Sequence, residues 1–243
     1  MEAPFDSADF RLATFGGRVD FDVVKFVSAA RFNGAVFKGL VDLSNNVFGG
    51  SADFRFTTFG AVTFMHSVFN SDANFTNGTF NDLTSFNGAL FGGELNFSAA
   101  VFVADVYFGD VTFKDYVKFT GLVERPMFGA TSSLDLQFAK IEEPSRVSFH
   151  TLILRPHWFI NVSARDFDFL NVTWRFILDD EIDRLKKRKI SATHVRLSKT
   201  FRDIAINSEE NHRYEQASRL RYWAMDTLRL EAWRGFVPWR LSW

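Results

Sequence analysis

Five histidines, His66, His150, His157, His194 and His212, are the residues with the most chemistry to offer in this sequence. Their spacing does not support a metal site: the five show no H-E-x-x-H and no other metal-ligand spacing. Cysteine is absent, which excludes disulfides, zinc–thiolate centres and cysteine nucleophiles. Asp179, Asp180 and Glu181 stand together and could form a carboxylate cluster. At the start of a helical segment, however, three acids suit N-terminal capping better. The run "RLKKRK" (184–189) could hold phosphate groups or acidic lipid, although a solvated helix end is the simpler reading. There is no G-x-S-x-G, no P-loop and no G-x-G-x-x-G. The sequons at Asn74, Asn77, Asn161 and Asn171 would matter only in a secreted chain. No nucleophile, base, metal set or cofactor site emerges, so the expectation is a protein that is not an enzyme.

The elements that would have to position such residues are unusual in themselves. The 243-residue chain holds 31 Phe against 4 Tyr, which means that rings are buried where a hydroxyl would find no partner. The N-terminus has neither a basic nor an apolar leader region, and no run of apolar residues is long enough to span a bilayer. Charge is uneven: residues 1–180 carry 21 acidic and 14 basic residues, residues 181–243 carry 8 and 14. The net values of −7 and +6 suggest two parts with different surroundings.

From Phe5 to Phe119 an aromatic ring recurs every five or six residues, with Leu43 as the one substitute. The central members are Phe54, Phe59, Phe75, Phe80, Phe86, Phe91, Phe97, Phe102, Phe108 and Phe113. A helix repeats at 3.6 residues and a simple strand at 2, so neither sets this period. Two residues before most of these rings stands a small or β-branched side chain, among them Ala8, Ala30, Ala52, Ala73, Ala89, Val106 and Val117. Residues i and i−2 of an extended segment share a face. Gly, Asn, Asp, Ser and Thr fill the intervening positions and suit corners, and Gly16-Gly17, Gly49-Gly50 and Gly92-Gly93 recur at the same period. The pattern predicts a solenoid of short strands around a Phe-filled axis.

Ala-Asp-Phe at 8–10 and 52–54 and Ala-Asn-Phe at 73–75 resemble the A-(D/N)-(L/F)-x-x unit of pentapeptide-repeat proteins. The resemblance covers residues 5–176 and implies a right-handed, four-sided parallel β-helix, with the central Phe and the small residue pointing inward. A strict member of that family steps by five, whereas here five and six alternate and four faces sum to 22, which implies bulged corners. In such a coil the residues before the five-step rings (Thr14, Lys25, Val36, Val47, Thr58, Val68, Thr79, Leu90, Val101, Thr112) would form two opposite β-branched faces. Those before the six-step rings (Asp20, Arg31, Asp42, Asp53, Asn74, Ser85, Asn96, Tyr107, Lys118) would form two polar ones. The β-branched faces suit exposed strand; the sharper alternative is a docking or homodimer face around Val47, Val68 and Leu90. Regularity fades after "GLVERPMF" (121–128), and "LDLQF", "VSFHTLIL" and "DFDFLNVTW" read as degenerate closing turns.

The predicted domains are a β-helix over 1–178 and a C-terminal helical hairpin with an aromatic, basic tail over 179–243. "LDDEIDRLKKRK" begins acidic and ends basic, as a helix does. Val195, Ser198, Phe201, Ile204 and Ala205 fall on one helical stripe, and Tyr214, Ala217, Arg221, Ala224 and Leu228 on another. The hairpin is similar to one that follows the repeats in some bacterial pentapeptide-repeat membrane proteins, where it leads to helices of ion-channel type. That likeness implies a cytoplasmic scaffold or sensory domain, at the cytoplasmic face of the inner membrane. Trp233, Arg234, Trp239, Arg240 and Trp243 have the aromatic and basic character of a membrane-proximal tail. Two other readings compete. Some pentapeptide-repeat proteins mimic DNA and protect gyrase from quinolones, and the acidic residues 1–180 are compatible with that. Lys25, Arg31, Lys38, Arg55, Lys114 and Lys118 interrupt the acidic surface, so no nucleic-acid-like role and no nucleic-acid partner is expected. The third reading is a stand-alone structural module that binds an unnamed protein partner.

Overall fold

The computed structural model describes residues 3–187, 189–191 and 193–235. Two-residue strands recur along the chain and pair in parallel into four sheets of seven, eight, five and six strands, one sheet per face of a four-sided β-helix. Faces A, B, C and D follow one another around each coil. Val47–Phe48 lies on A, Ala52–Asp53 on B, Thr58–Phe59 on C and Val62–Thr63 on D. Like residues stack on like in register. Phe48 pairs with Phe69 and Phe69 with Phe91 on face A, while Ala52 pairs with Ala73 on face B. The interior is four columns of Phe. On face B, Phe32, Phe54, Phe75 and Phe97 stack at 4.8, 4.8 and 4.9 Å, and face D rings such as Phe64 and Phe86 meet them edge-on. Offset stacks along the axis and edge contacts across it are the two arrangements the ring quadrupole favours.

Alternating spacing and four-sidedness are reconciled at the corners, which are of two kinds. After faces B and D the chain makes a type II turn. Phe54 carbonyl accepts from Thr57 N–H, and the intervening Phe56 has φ +57. The same left-handed position holds Leu12, Gly34, Asn77 and Ala99 in the corners after face B, and Val23, Asn45, His66, Gly88 and Asp110 in those after face D. These corners carry the five-residue step. The extra residue of each six-residue step lies in the bends after faces A and C, where the glycine pairs fall. A Cβ on Gly49 would stand 2.5 Å from the Val27 carbonyl oxygen one coil below, so the bend closes only without a side chain. Gly16 and Gly17 would meet nothing within 4 Å, and the demand there is conformational at most. The bend from Phe59 to Phe64 lacks the extra residue, and pairing absorbs this as a shift of 21 residues (Val47 to Val68) in place of 22 (Val68 to Leu90).

The closing segments extend the coil unevenly. Leu134–Asp135 joins face D, Lys140–Ile141 joins face A, and Val147–His150 and Asp168–Leu170 add two further strands to face B. The chain groups into two compact units, one formed by residues up to 154 with 167–173, the other by 155–166 with 174 onward. The second therefore takes a stretch that the sequence reading had assigned to the β-helix. It contains a 3₁₀ turn at Pro156–Phe159 and three helices, α1 (Leu178–Lys187), α2 (Thr193–Glu210) and α3 (Tyr214–Gly235).

Helices α2 and α3 form the expected hairpin, but two of the predicted stripes shift. Val195 is exposed, as are Tyr214 and Arg221; α3 buries Ala217, Leu220, Ala224 and Thr227. Arg221 turns outward because it forms a two-pronged bond to Glu209. Phe176, Phe201 and Trp223 pack together at 4.7–5.8 Å between centroids.

Candidate functional site

The β-helix fills its axis with its own rings, so any site on it must be built from outward residues. On face A the predicted column forms: Val47, Val68 and Leu90 stand in register, half-buried, between Lys25 at one end and Thr112 and Lys140 at the other. With strands about 4.8 Å apart, three side chains make a stripe about 10 Å tall. That is far short of the ~800 Å² per partner of a standard stable interface.

Faces B and D are polar for a reason that the sequence reading did not identify. Their outward Asp, Asn, Ser or Thr accepts a bond from the backbone N–H two residues on, in the first half of the type II turn. Asp53 Oδ1 takes Arg55 N–H at 3.1 Å, Asn74 Oδ1 takes Thr76 N–H at 3.0 Å, and Asn96 Oδ1 takes Ser98 N–H at 2.9 Å. Asp20, Asp42, Thr63 and Asp135 do the same on face D. The signal was legible as an Asp or Asn immediately before five of the nine six-step rings: Asp20, Asp42, Asp53, Asn74 and Asn96. These side chains are turn caps first, and a surface for partners only in what capping leaves over.

Charges on face B are paired along and across the coils. Asp9 faces Arg31, which faces Asp53 in the ladder, and Asp9 and Asp53 each hold an arginine two residues on. Hydrogen bonds from the Arg11 side chain and backbone bring the exposed Asp9 carboxyl down to about 2. At Asp53 burial pushes upward, but the bonds and charge of Arg55 outweigh it and hold the carboxyl below its ordinary range. Lys118 pairs with Glu94 at 2.8 Å and Arg146 with Asp115 at 3.1 Å. Near the end of the β-helix a groove of about 210 Å³ is lined by Leu122, Val123, Pro126, Met127 and Phe128 together with Thr151, Leu152, Ile153, Asn171 and Thr173.

In the helical unit the sequence reading of Glu181 needs correction. It does not cap α1 through an exposed carboxylate: its side chain is fully buried, hydrogen-bonded to the His157 ring and to His157 N–H at 3.3 Å, with Arg155 at 3.6 Å. A buried carboxylate is tolerated only where it is paired and hydrogen-bonded, and the His157 ring and backbone with the nearby Arg155 guanidinium supply this. Asp179 and Asp180 stay exposed in the first turn, where capping suits them. Lys186, Lys187 and Lys189 are exposed at the far end of α1, with Lys186 only 3.9 Å from Asp183. Trp233 and Arg234 fall in the last turn of α3, while Trp239, Arg240 and Trp243 lie outside the described residues. Among the described residues no group of three His, Asp or Glu converges as a metal site, and no helix is long and apolar enough to cross a membrane.

Four parallel walls around a column of Phe, with a small residue two before each ring and an Asx-capped turn after alternate faces, are the geometry that the repeat unit encodes. Residues 32–79 match the family model of pentapeptide repeats, in 9 copies. The matched segment lies inside the β-helix, and the paired parallel strands of the four sheets continue on both sides of it. No curated protein matches the sequence.

Proposed function

We propose that this chain is a non-enzymatic interaction scaffold whose helical end associates with an anionic membrane surface. The observation that carries the reading is the division of charge, −7 over residues 1–180 against +6 over 181–243. In the β-helix the acidic groups of face B are neutralised by arginines, whereas at the end of α1 Lys187 and Lys189 stand exposed beside a weakly paired Lys186. Each basic side chain near an anionic surface contributes about 1 kcal/mol. Indole rings at headgroup depth would add a component that salt does not screen. The result is weak and reversible binding, unlike a spanning helix. This reading sets the protein at the cytoplasmic face of the inner membrane, with the β-helix offering its walls to protein partners. A column as short as Val47, Val68 and Leu90 suits a transient partner better than a permanent dimer. The paired charges of face B also count against a DNA mimic, which needs a nearly continuous negative field.

Co-sedimentation with vesicles tests the reading. The full chain should pellet with anionic vesicles at low salt, stay in solution with zwitterionic ones, and be partly released at high salt. Deleting residues 233–243 should remove the salt-resistant fraction. A chain that ignores anionic vesicles at low salt leaves only the stand-alone scaffold. Inhibition of gyrase supercoiling by the full chain at low micromolar concentration would favour the DNA mimic instead.

A further inference from the structure

The two β-branched walls of the coil are not alike. On face A the outward column runs from Lys25 to Lys140, with a charge at each end. On face C it is Thr14, Val36, Thr58, Thr79 and Val101, in register and uncharged throughout. The corners beside face C also carry exposed apolar side chains. These are Leu12 and Phe56 toward face B, and Leu40, Leu83 and Val103 toward face D. Phe56 is the outlier among them. It stands at φ +57, where a bulky side chain is strained, and it is 62% exposed. The neighbouring coils place Gly34 and Asn77 at that position, residues that suit the left-handed backbone. A strained ring held in water is a candidate contact for something outside the coil.

The pattern around Phe56 is its own complement. Phe56, Thr58 and Ala61 belong to one coil, with Leu40 and Lys38 one level below and Leu83 and Asp82 one level above. Consider a two-fold axis lying in the plane of face C and crossing the coil at Thr58. It keeps each corner opposite its own copy and exchanges the levels above and below. Phe56 then meets Phe56, Leu40 meets Leu83, Leu12 meets Ala99 and Val36 meets Thr79. Lys38 meets Asp82, twice. Neither of these charges has an ion-pair partner among the described residues; Asp82 only receives the Leu83 N–H at 2.7 Å. Arg11 and Arg55, at the rim, bring little repulsion to the seam because Asp9 and Asp53 hold them at 2.6 and 2.7 Å. A two-fold axis along the coil would instead lay the Phe56 corner on the Leu83 corner and leave Lys38 and Asp82 unmatched.

We propose that face C is a homodimer surface, on which a second copy of the β-helix docks antiparallel about the level of Thr58. The column is about 20 Å tall at ~4.8 Å per strand, twice the height of the one on face A. With its corners it covers only about half of the ~800 Å² per partner of a standard stable interface. The dimer is accordingly weak, reversible and set by concentration. It rests on the scaffold reading only in that a wall of the coil binds protein. No residue of the C-terminal tail takes part, so the test needs no lipid and vesicle binding bears on it in neither direction.

Sedimentation velocity and cross-linking of the full chain test it. The chain should move from monomer toward dimer between micromolar and near-millimolar concentration. Phe56→Asn, a change that the corner itself favours, should weaken association about tenfold. Lys38→Asp and Asp82→Lys should each weaken it about fivefold alone, and an equimolar mixture of the two should recover it, because each variant then offers the other the opposite charge. Mixing does not rescue a folding defect. The chain has no cysteine, so single cysteines can be placed without background. Facing sheets lie about 10 Å apart, beyond disulfide reach, so a short bis-maleimide is the probe. Phe56→Cys should link to itself, Leu40→Cys and Leu83→Cys should link well only when mixed, and Val68→Cys on face A should not link. A chain that stays monomeric throughout leaves face C to a different partner and overturns the dimer. Leu40→Cys linking best to itself, no recovery on mixing the charge variants, or linkage through Val68→Cys would each overturn the contact as drawn.

Discussion

Removing a ring from the axis should cost in proportion to the rings it touches. Phe75 is fully buried and meets five others: Phe54 and Phe97 stacked at 4.8 and 4.9 Å, Phe64 and Phe86 edge-on at 5.6 Å each, and Phe80 tilted at 6.0 Å. Phe91, equally buried, meets three: Phe69 at 4.7 Å, Phe113 at 5.7 Å and Phe86 at 6.0 Å. Truncating a buried Phe to Ala costs about 3–5 kcal/mol, with the upper end where the cavity cannot collapse. Each ring pair contributes about 0.5–1.5 kcal/mol beyond area, so two additional pairs should separate the sites by about 1–3 kcal/mol. Phe75→Ala is therefore expected near 5 kcal/mol and Phe91→Ala near 3, while the half-buried outward Thr79→Ala stays within about 0.5. Urea unfolding of the three variants reads this directly, provided the slope with denaturant is unchanged. If Phe91→Ala and Thr79→Ala share a midpoint, the stacks do not hold the coil together. Equal losses at 75 and 91 would show that ring count is not what sets the cost.

The corners should respond in opposite senses. Phe56 is exposed at φ +57 where the equivalent position one coil on is Asn77, so Phe56→Asn should stabilise by about 1 kcal/mol in the same unfolding assay. Gly49→Ala drives a methyl against the Val27 carbonyl and should lose about 1–3 kcal/mol. Gly16→Ala, with open space around it, should be neutral or slightly favourable by thermal melt. The Asp9 carboxyl should titrate near 2 by NMR and move back toward 3.8 in Arg11→Ala. Because its folded value is depressed, the stability it contributes is complete above about 3.8 and is lost as pH falls through about 2.

Reading the β-helix from sequence succeeded where a side chain has one use. A Phe at Phe75 or Phe91 can only be buried, and its recurrence at five and six residues states the coil length directly. The outward Asp53 or Asn74 has two uses, and composition alone cannot separate a solvated polar face from a row of turn caps. Only the φ of the residue two beyond the ring does so. The helices were less legible because α2 buries polar side chains whose bonds run to backbone and that lie off the expected stripe: Ser208 Oγ to the Ile204 carbonyl, and Asn207 to the Arg165 carbonyl. An apolar stripe drawn through Val195 or Tyr214 misses residues that go inside by hydrogen bonding and not by hydropathy. Glu181 was misplaced for the same reason. Its partners, Arg155 and His157, lie more than twenty residues upstream, and nothing local marks the meeting.

Up to Phe119, the near-constant 22-residue pairing step also gives the β-helix the mechanics of a spool. Along its walls, each coil is bonded to the one before and the one after by the same short parallel rungs. Tension along the axis would load those rungs in series, and a yielding coil would pay out about 70–80 Å of chain at ~3.3–3.6 Å per residue. The thread would come off in nearly equal lengths, shorter by one residue at the coil between Phe48 and Phe69, where the bend after Phe59 was built without its extra residue.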